Sequence, residues 1–147
     1  MATDNLDRYL QIKVQTASPG QLVSMLYDGA IRFSKQAKEQ LEGSDLEGSN
    51  ASIQRVQDIV EELNVSLDTD KGGEIAANLR KIYIYVSEQL LEANIKKDPK
   101  ILANVIELLE NMRVTWKEIM LKSKDVNGRP NVQKYSTNTS SLDLAVE

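Results

Sequence analysis

The reactive side chains of this chain are almost all carboxylates. It has 22 Asp and Glu, no histidine and no cysteine. Paired acids such as Glu61-Glu62 could do general acid–base work, but the commonest partner base, histidine, is missing. Its absence also removes the Glu-x-x-His di-iron site of some helical bundles and phosphate relay on histidine. Without cysteine there is no disulfide framework and no thiol chemistry. Carboxylates alone can hold Mg²⁺ or Ca²⁺, yet no segment spaces oxygen ligands like a calcium loop. Gly72-Gly-Glu-Ile75 is neither a P-loop nor a dinucleotide fingerprint, because no Lys-Ser/Thr and no third spaced glycine follows. Most acids fall on helix positions with Lys or Arg within reach and read as a solvated face. The sequence therefore predicts no enzyme, no cofactor and no metal.

What remains is the chemistry of apolar surface. Ile84, Leu91 and Ile95 recur at i, i+7 and i+11. At about 100° per residue they share one side of a helix, roughly opposite the stripe of Ile75, Leu79, Ile82, Tyr83, Val86, Leu90 and Ala93. Two readings fit. The helix is central and touched on both sides, or it offers an apolar groove to another chain. Ile106, Val114 and Leu121 lie off the main stripe of the following helix, a second sign of surplus apolar surface.

Four helices must hold these stripes. The clearest start is Ser18-Pro-Gly-Gln21, with Ser18 as N-cap, Pro19 at N1 and Gln21 completing a capping box. Leu22, Met25, Leu26, Gly29, Ala30, Phe33, Ala37 and Leu41 then form one face, and Gly29 predicts a close helix crossing. Gly43 to Asn50 is turn-rich, and Ser49 or Asn50 is the expected cap of a second helix. Its face is Ile53, Val56, Ile59, Val60, Leu63 and Leu67. A polar break with two glycines precedes the third helix, expected to begin near Gly73 or Glu74. Asp98 and Pro99 start the fourth, which buries Ile101, Leu102, Val105, Leu108, Leu109, Met112, Trp116 and Ile119.

The chain divides into an arm over residues 1–17, a bundle over 18–122 and a tail over 123–147. Leu6, Tyr9 and Leu10 share one side of the arm. They either pack on the bundle or cover a groove that a partner uncovers. The tail is polar, apart from Leu142, Leu144 and Val146 alternating near its end, and reads as flexible. With 147 residues there is room for one domain with a core. A net charge of −4 and a pI near 5.0 argue against nucleic acid, which needs clustered Lys and Arg. No apolar run is long enough for membrane insertion, and no basic-then-apolar leader opens the sequence. The fold class expected is all-α, an antiparallel four-helix bundle.

Three motifs carry a family resemblance. Thr16-Ala-Ser-Pro-Gly-Gln-Leu-Val-Ser-Met-Leu-Tyr-Asp-Gly-Ala-Ile-Arg-Phe33 resembles the first-helix signature of the flagellin export chaperones, the FliS family, with Gln21 where that family usually has Glu. Gly72 to Asn94 is similar to the family's third helix, and Leu108 to Glu118 to its fourth. The resemblance is collinear over about residues 9–120. It implies a four-helix bundle in the bacterial cytosol that binds the disordered C-terminal region of flagellin, prevents premature polymerisation and delivers it to the flagellar export machinery. It also implies that the arm, with Tyr9 at the family's tyrosine, acts as a lid over part of the site. On this reading Ile84, Leu91 and Ile95 line the client groove with Val56 and Ile59, and the free protein is a monomer or weak dimer. The rival is a dimerising helical adaptor with a structural role, in which the extra stripes join two copies.

Overall fold

Ser18 starts the first helix through bonds made in both directions. Its hydroxyl accepts from the Gln21 amide at 3.2 Å, and the Gln21 side chain accepts from the Ser18 amide at 2.9 Å. The capping box is therefore closed, with Pro19 at the first helical position. In the computed structural model helix α1 spans Pro19–Glu42, α2 Leu46–Val65, α3 Thr69–Lys96 and α4 Pro99–Lys122. The structure describes residues 7–8, 10–12, 15–67 and 69–122, without the side chains of 69–72 and 122. Residues 123–147 lie outside it, and so does the expectation of a flexible tail.

α2 begins earlier than the sequence predicts. Its N-cap is Asp45, whose carboxylate accepts from the Gly48 amide at 2.9 Å. Ser49 is instead a buried helical residue whose hydroxyl donates to the Leu46 carbonyl at 2.9 Å. The acid wins because a carboxylate holds an orphan amide more strongly than a hydroxyl and favours the positive end of the helix dipole.

α3 is two pieces. Gly73, at φ 57° and ψ −136°, interrupts it, in a region that a Cβ makes costly. The uninterrupted helix starts at Glu74, as expected. It ends where Lys97 turns to φ 52° and the Asp98 amide donates to the Ala93 carbonyl at 3.2 Å, a Schellman closure made without glycine. The Asp98 carboxylate then accepts from the Lys100 amide at 2.9 Å and starts α4.

Cross-helix contacts fix the directions. Gln40 meets Ser52 and Gly29 faces Ile59, so α1 and α2 run antiparallel. Gly20 pairs with Trp116, Asp28 with Arg113 and Lys35 with Glu110, so α1 and α4 do too. Asn50 and Asn94 join the start of α2 to the end of α3. α1 packs on α2 and α4, and each of these meets α3. The result is the all-α four-helix bundle that the sequence predicts.

α1, not α3, is buried on more than one side. Val23, Tyr27, Ile31 and Ser34 are as buried as the expected Ala30, Ala37 and Leu41, while Leu22, Met25, Leu26 and Phe33 are only half-buried. Phe33 sits under two guanidiniums, Arg32 at 5.0 Å and Arg55 at 4.6 Å from its ring centre. The Gly29 crossing is real. A Cβ there would lie 3.3 Å from Ile59 Cδ1, so the missing side chain lets α2 approach.

Candidate binding site: two apolar flanks of the third helix

α3 and α4 leave a cavity of about 350 Å³ between them. α1 supplies Val23 and Tyr27, and the end of α2 supplies Leu63 and Leu67. The two facing walls are Ile75, Leu79 and Ile82 from α3, and Met112, Trp116 and Ile119 from α4. Ile75 is 52% exposed, so the cavity reaches the surface. None of its lining residues is ionised at neutral pH.

The buried polar groups of the wall are turned to internal partners. Tyr27 and Tyr83 share a buried hydroxyl–hydroxyl hydrogen bond of 2.7 Å. Burial pushes the Tyr27 phenol up to about 12 and raises Tyr83 well above its ordinary value, so both stay neutral. The Trp116 indole N–H donates to the Gly20 carbonyl at 3.0 Å, and the Ser66 hydroxyl to the Leu63 carbonyl at 2.7 Å. The interior is therefore apolar to an incoming group. Exposed Asn78 on α3 and exposed Asn111 and Thr115 on α4 contribute polar groups from the two facing helices. Such a cavity lies at the small end of the range for ligand pockets, about 300–1,000 Å³. It can take a few aliphatic side chains.

The family model for the flagellar protein FliS matches residues 2–123. The chain belongs to the FliS family. The flagellar secretion chaperone FliS of Bacillus subtilis is 36% identical over 121 residues, covering 82% of this chain and 90% of that protein. The Salmonella typhimurium chaperone of the same name is 37% identical over 120 residues, covering 78% and 89%. That of Campylobacter jejuni is 32% identical over 111 residues, covering 76% and 87%. The FliS match contains every residue that lines the cavity and stops one residue past α4.

The expected site residues fall in several places. Ile84, Leu91 and Ile95 are 46%, 54% and 73% exposed. They form an open row on α3 that the bundle does not cover. Ile84 is nine residues after Ile75, and Leu91 nine after Ile82, which is two and a half turns. The row therefore lies about half a turn from the cavity wall, and α3 carries apolar surface on both flanks. Ile59 is half-buried against Gly29 and belongs to the α1–α2 crossing. Val56 is a correction. It is 0% exposed and sits in the core, because the core face of α2 includes its position. Ile106 is likewise buried rather than surplus, whereas Val114 and Leu121 are exposed. Leu10 is exposed on the arm, and Leu6 and Tyr9 lie outside the described residues. No helix among the described residues is long and apolar enough to cross a membrane.

Sequence reasoning missed the cavity. It assigned Ile75 and Ile82 to a filled core stripe. A signal for the α1 wall was present: Val23, Tyr27 and Ile31 recur every four residues, a second stripe beside the one recognised.

Proposed function

We propose that this chain is a flagellar secretion chaperone that binds the disordered C-terminal region of flagellin in the bacterial cytoplasm. It covers that region against premature polymerisation and yields it to the export machinery. One observation carries the reading: α3 offers apolar surface on both flanks, the cavity at Ile75 and Ile82 and the open row at Ile84, Leu91 and Ile95. The names of the FliS relatives support the chaperone role.

The physics suits capture followed by release. A flagellin terminus carries apolar faces meant for neighbours in the filament, and free in the cytoplasm such faces self-associate. Burying a large aliphatic side chain yields about 1.5–3 kcal/mol. Ordering a disordered segment costs about 2–5 kcal/mol of that gain. Net affinity is then moderate although the contact is wide, and capture needs no nucleotide. Light scattering of the protein mixed with monomeric flagellin tests this. A one-to-one complex is expected, from a free protein that is monomeric or weakly dimeric. A tight dimer that ignores flagellin contradicts the proposal and favours the adaptor.

A further inference from the structure

We propose that the client-free cavity between α3 and α4 is occupied by this chain's own residues 141–147, so that tail and client compete for it. The first ground is pattern. In Ser141-Leu-Asp-Leu-Ala-Val-Glu147 the apolar Leu142, Leu144 and Val146 alternate with Asp143, Ala145 and Glu147. Extended, such a segment turns three aliphatic side chains to one side and its two carboxylates to the other. A cavity of about 350 Å³ with no ionisable wall residue except two neutral phenols accepts the first side and leaves the second in water.

The second ground is the cavity's edge. An extended segment brings unpaired backbone N–H and C=O groups, which a docked helix would satisfy within itself. Asn78 on one wall and Asn111 on the other are exposed and line the cavity. Each side-chain amide both donates and accepts, and so can pair with a peptide group.

The third ground is reach. Ile119, Trp116 and Thr115 line the cavity and lie within seven residues of Lys122, about 10 Å along the helix. Leu142 follows Lys122 by twenty residues. A random coil of twenty residues spans about 25 Å root-mean-square, so chain length alone allows Leu142 to reach the cavity. Tethering gives an effective concentration of up to the millimolar range, so a strip of weak intrinsic affinity still docks. The segment lies beyond the FliS match, which ends at residue 123.

The inference rests on the proposed function only for its consequence, competition with client, and its test contains no flagellin. In the full-length protein, Leu142, Leu144 and Val146 are changed together to Asp, leaving the bundle untouched. The indole N–H resonance of Trp116, the one tryptophan, is recorded by NMR, with binding of an apolar fluorescent dye. The wild-type and variant indole signals should differ, and the variant should bind dye at least several-fold more tightly. A synthetic peptide of residues 139–147, added at millimolar concentration, should return the variant's signal towards the wild-type position and displace the dye. Identical signals and dye affinities in the two proteins overturn the proposal. So does a wild-type signal that moves with protein concentration, which would place the strip in a second copy.

Discussion

The hydroxyls of Tyr27 and Tyr83 lie 2.7 Å apart in the buried wall of the cavity and pair with each other across 56 residues of sequence. The bond ties α1 to α3, which do not otherwise rank among the main packing pairs of the bundle. Removing one hydroxyl leaves the other buried and unpaired. Tyr27→Phe or Tyr83→Phe should each cost about 1–3 kcal/mol, and the double variant clearly less than the sum. Urea denaturation of the four proteins checks the cycle. Simple additivity would mean that the hydroxyls are not coupled.

The same pair sets a pH dependence. Both phenols titrate higher in the folded protein, Tyr27 at about 12 against an ordinary 10.0. Below pH 10 both states are protonated and the pair gives no slope. Above it the unfolded chain loses protons first, so stability falls as pH rises from about 10 towards 12. The double Phe variant should lose this part of the slope. Melting temperatures between pH 8 and 11 test it, and an unchanged slope would refute the assignment.

Gly29 and Ile59 set how closely α2 approaches α1. Gly29→Leu should destabilise by about 1–3 kcal/mol through overpacking. Gly29→Ala should lie within about 1 kcal/mol of wild type, because helix propensity offsets a 3.3 Å contact with the mobile tip of Ile59. Adding Ile59→Val should recover part of the Gly29→Leu loss. Chemical denaturation measures all three, and a harmless Gly29→Leu would show that the crossing has slack.

The bundle was legible because its helix ends are written in local chemistry: Ser18 with Gln21, Asp98 with Pro99, and the glycine at 73. The α2 cap was harder, since Asp45, Ser49 and Asn50 all offer capping oxygens within six residues, and the carboxylate of Asp45 takes the role. The row at Ile84, Leu91 and Ile95 could be found from helical periodicity alone. Whether a second stripe is open or covered could not. Val23, Tyr27 and Ile31 on α1 have the same character, yet all three are buried. Ile75 and Ile82 show the converse, core-like in spacing yet facing a cavity, because their surroundings depend on how α3 and α4 are held apart.

Ile84→Asp and Leu91→Asp place a charge on the open row and leave the cavity alone. Flagellin affinity should fall at least tenfold for each, with helix content unchanged and melting within a few degrees of wild type. Circular dichroism and a binding titration together decide. Unfolding of both variants would mark these residues as core.

Deleting residues 1–15 tests the arm. If Leu6, Tyr9 and Leu10 cover part of the client surface, the shortened protein should capture flagellin faster or more tightly in stopped-flow mixing. Slower capture would mean that the arm itself contacts the client.

Titration calorimetry against flagellin with and without its C-terminal segment tests the central claim most directly. Intact flagellin should bind one to one with a negative heat-capacity change, the mark of buried apolar surface, and flagellin lacking the segment should give no binding heat. Equal affinity for the two would contradict the account.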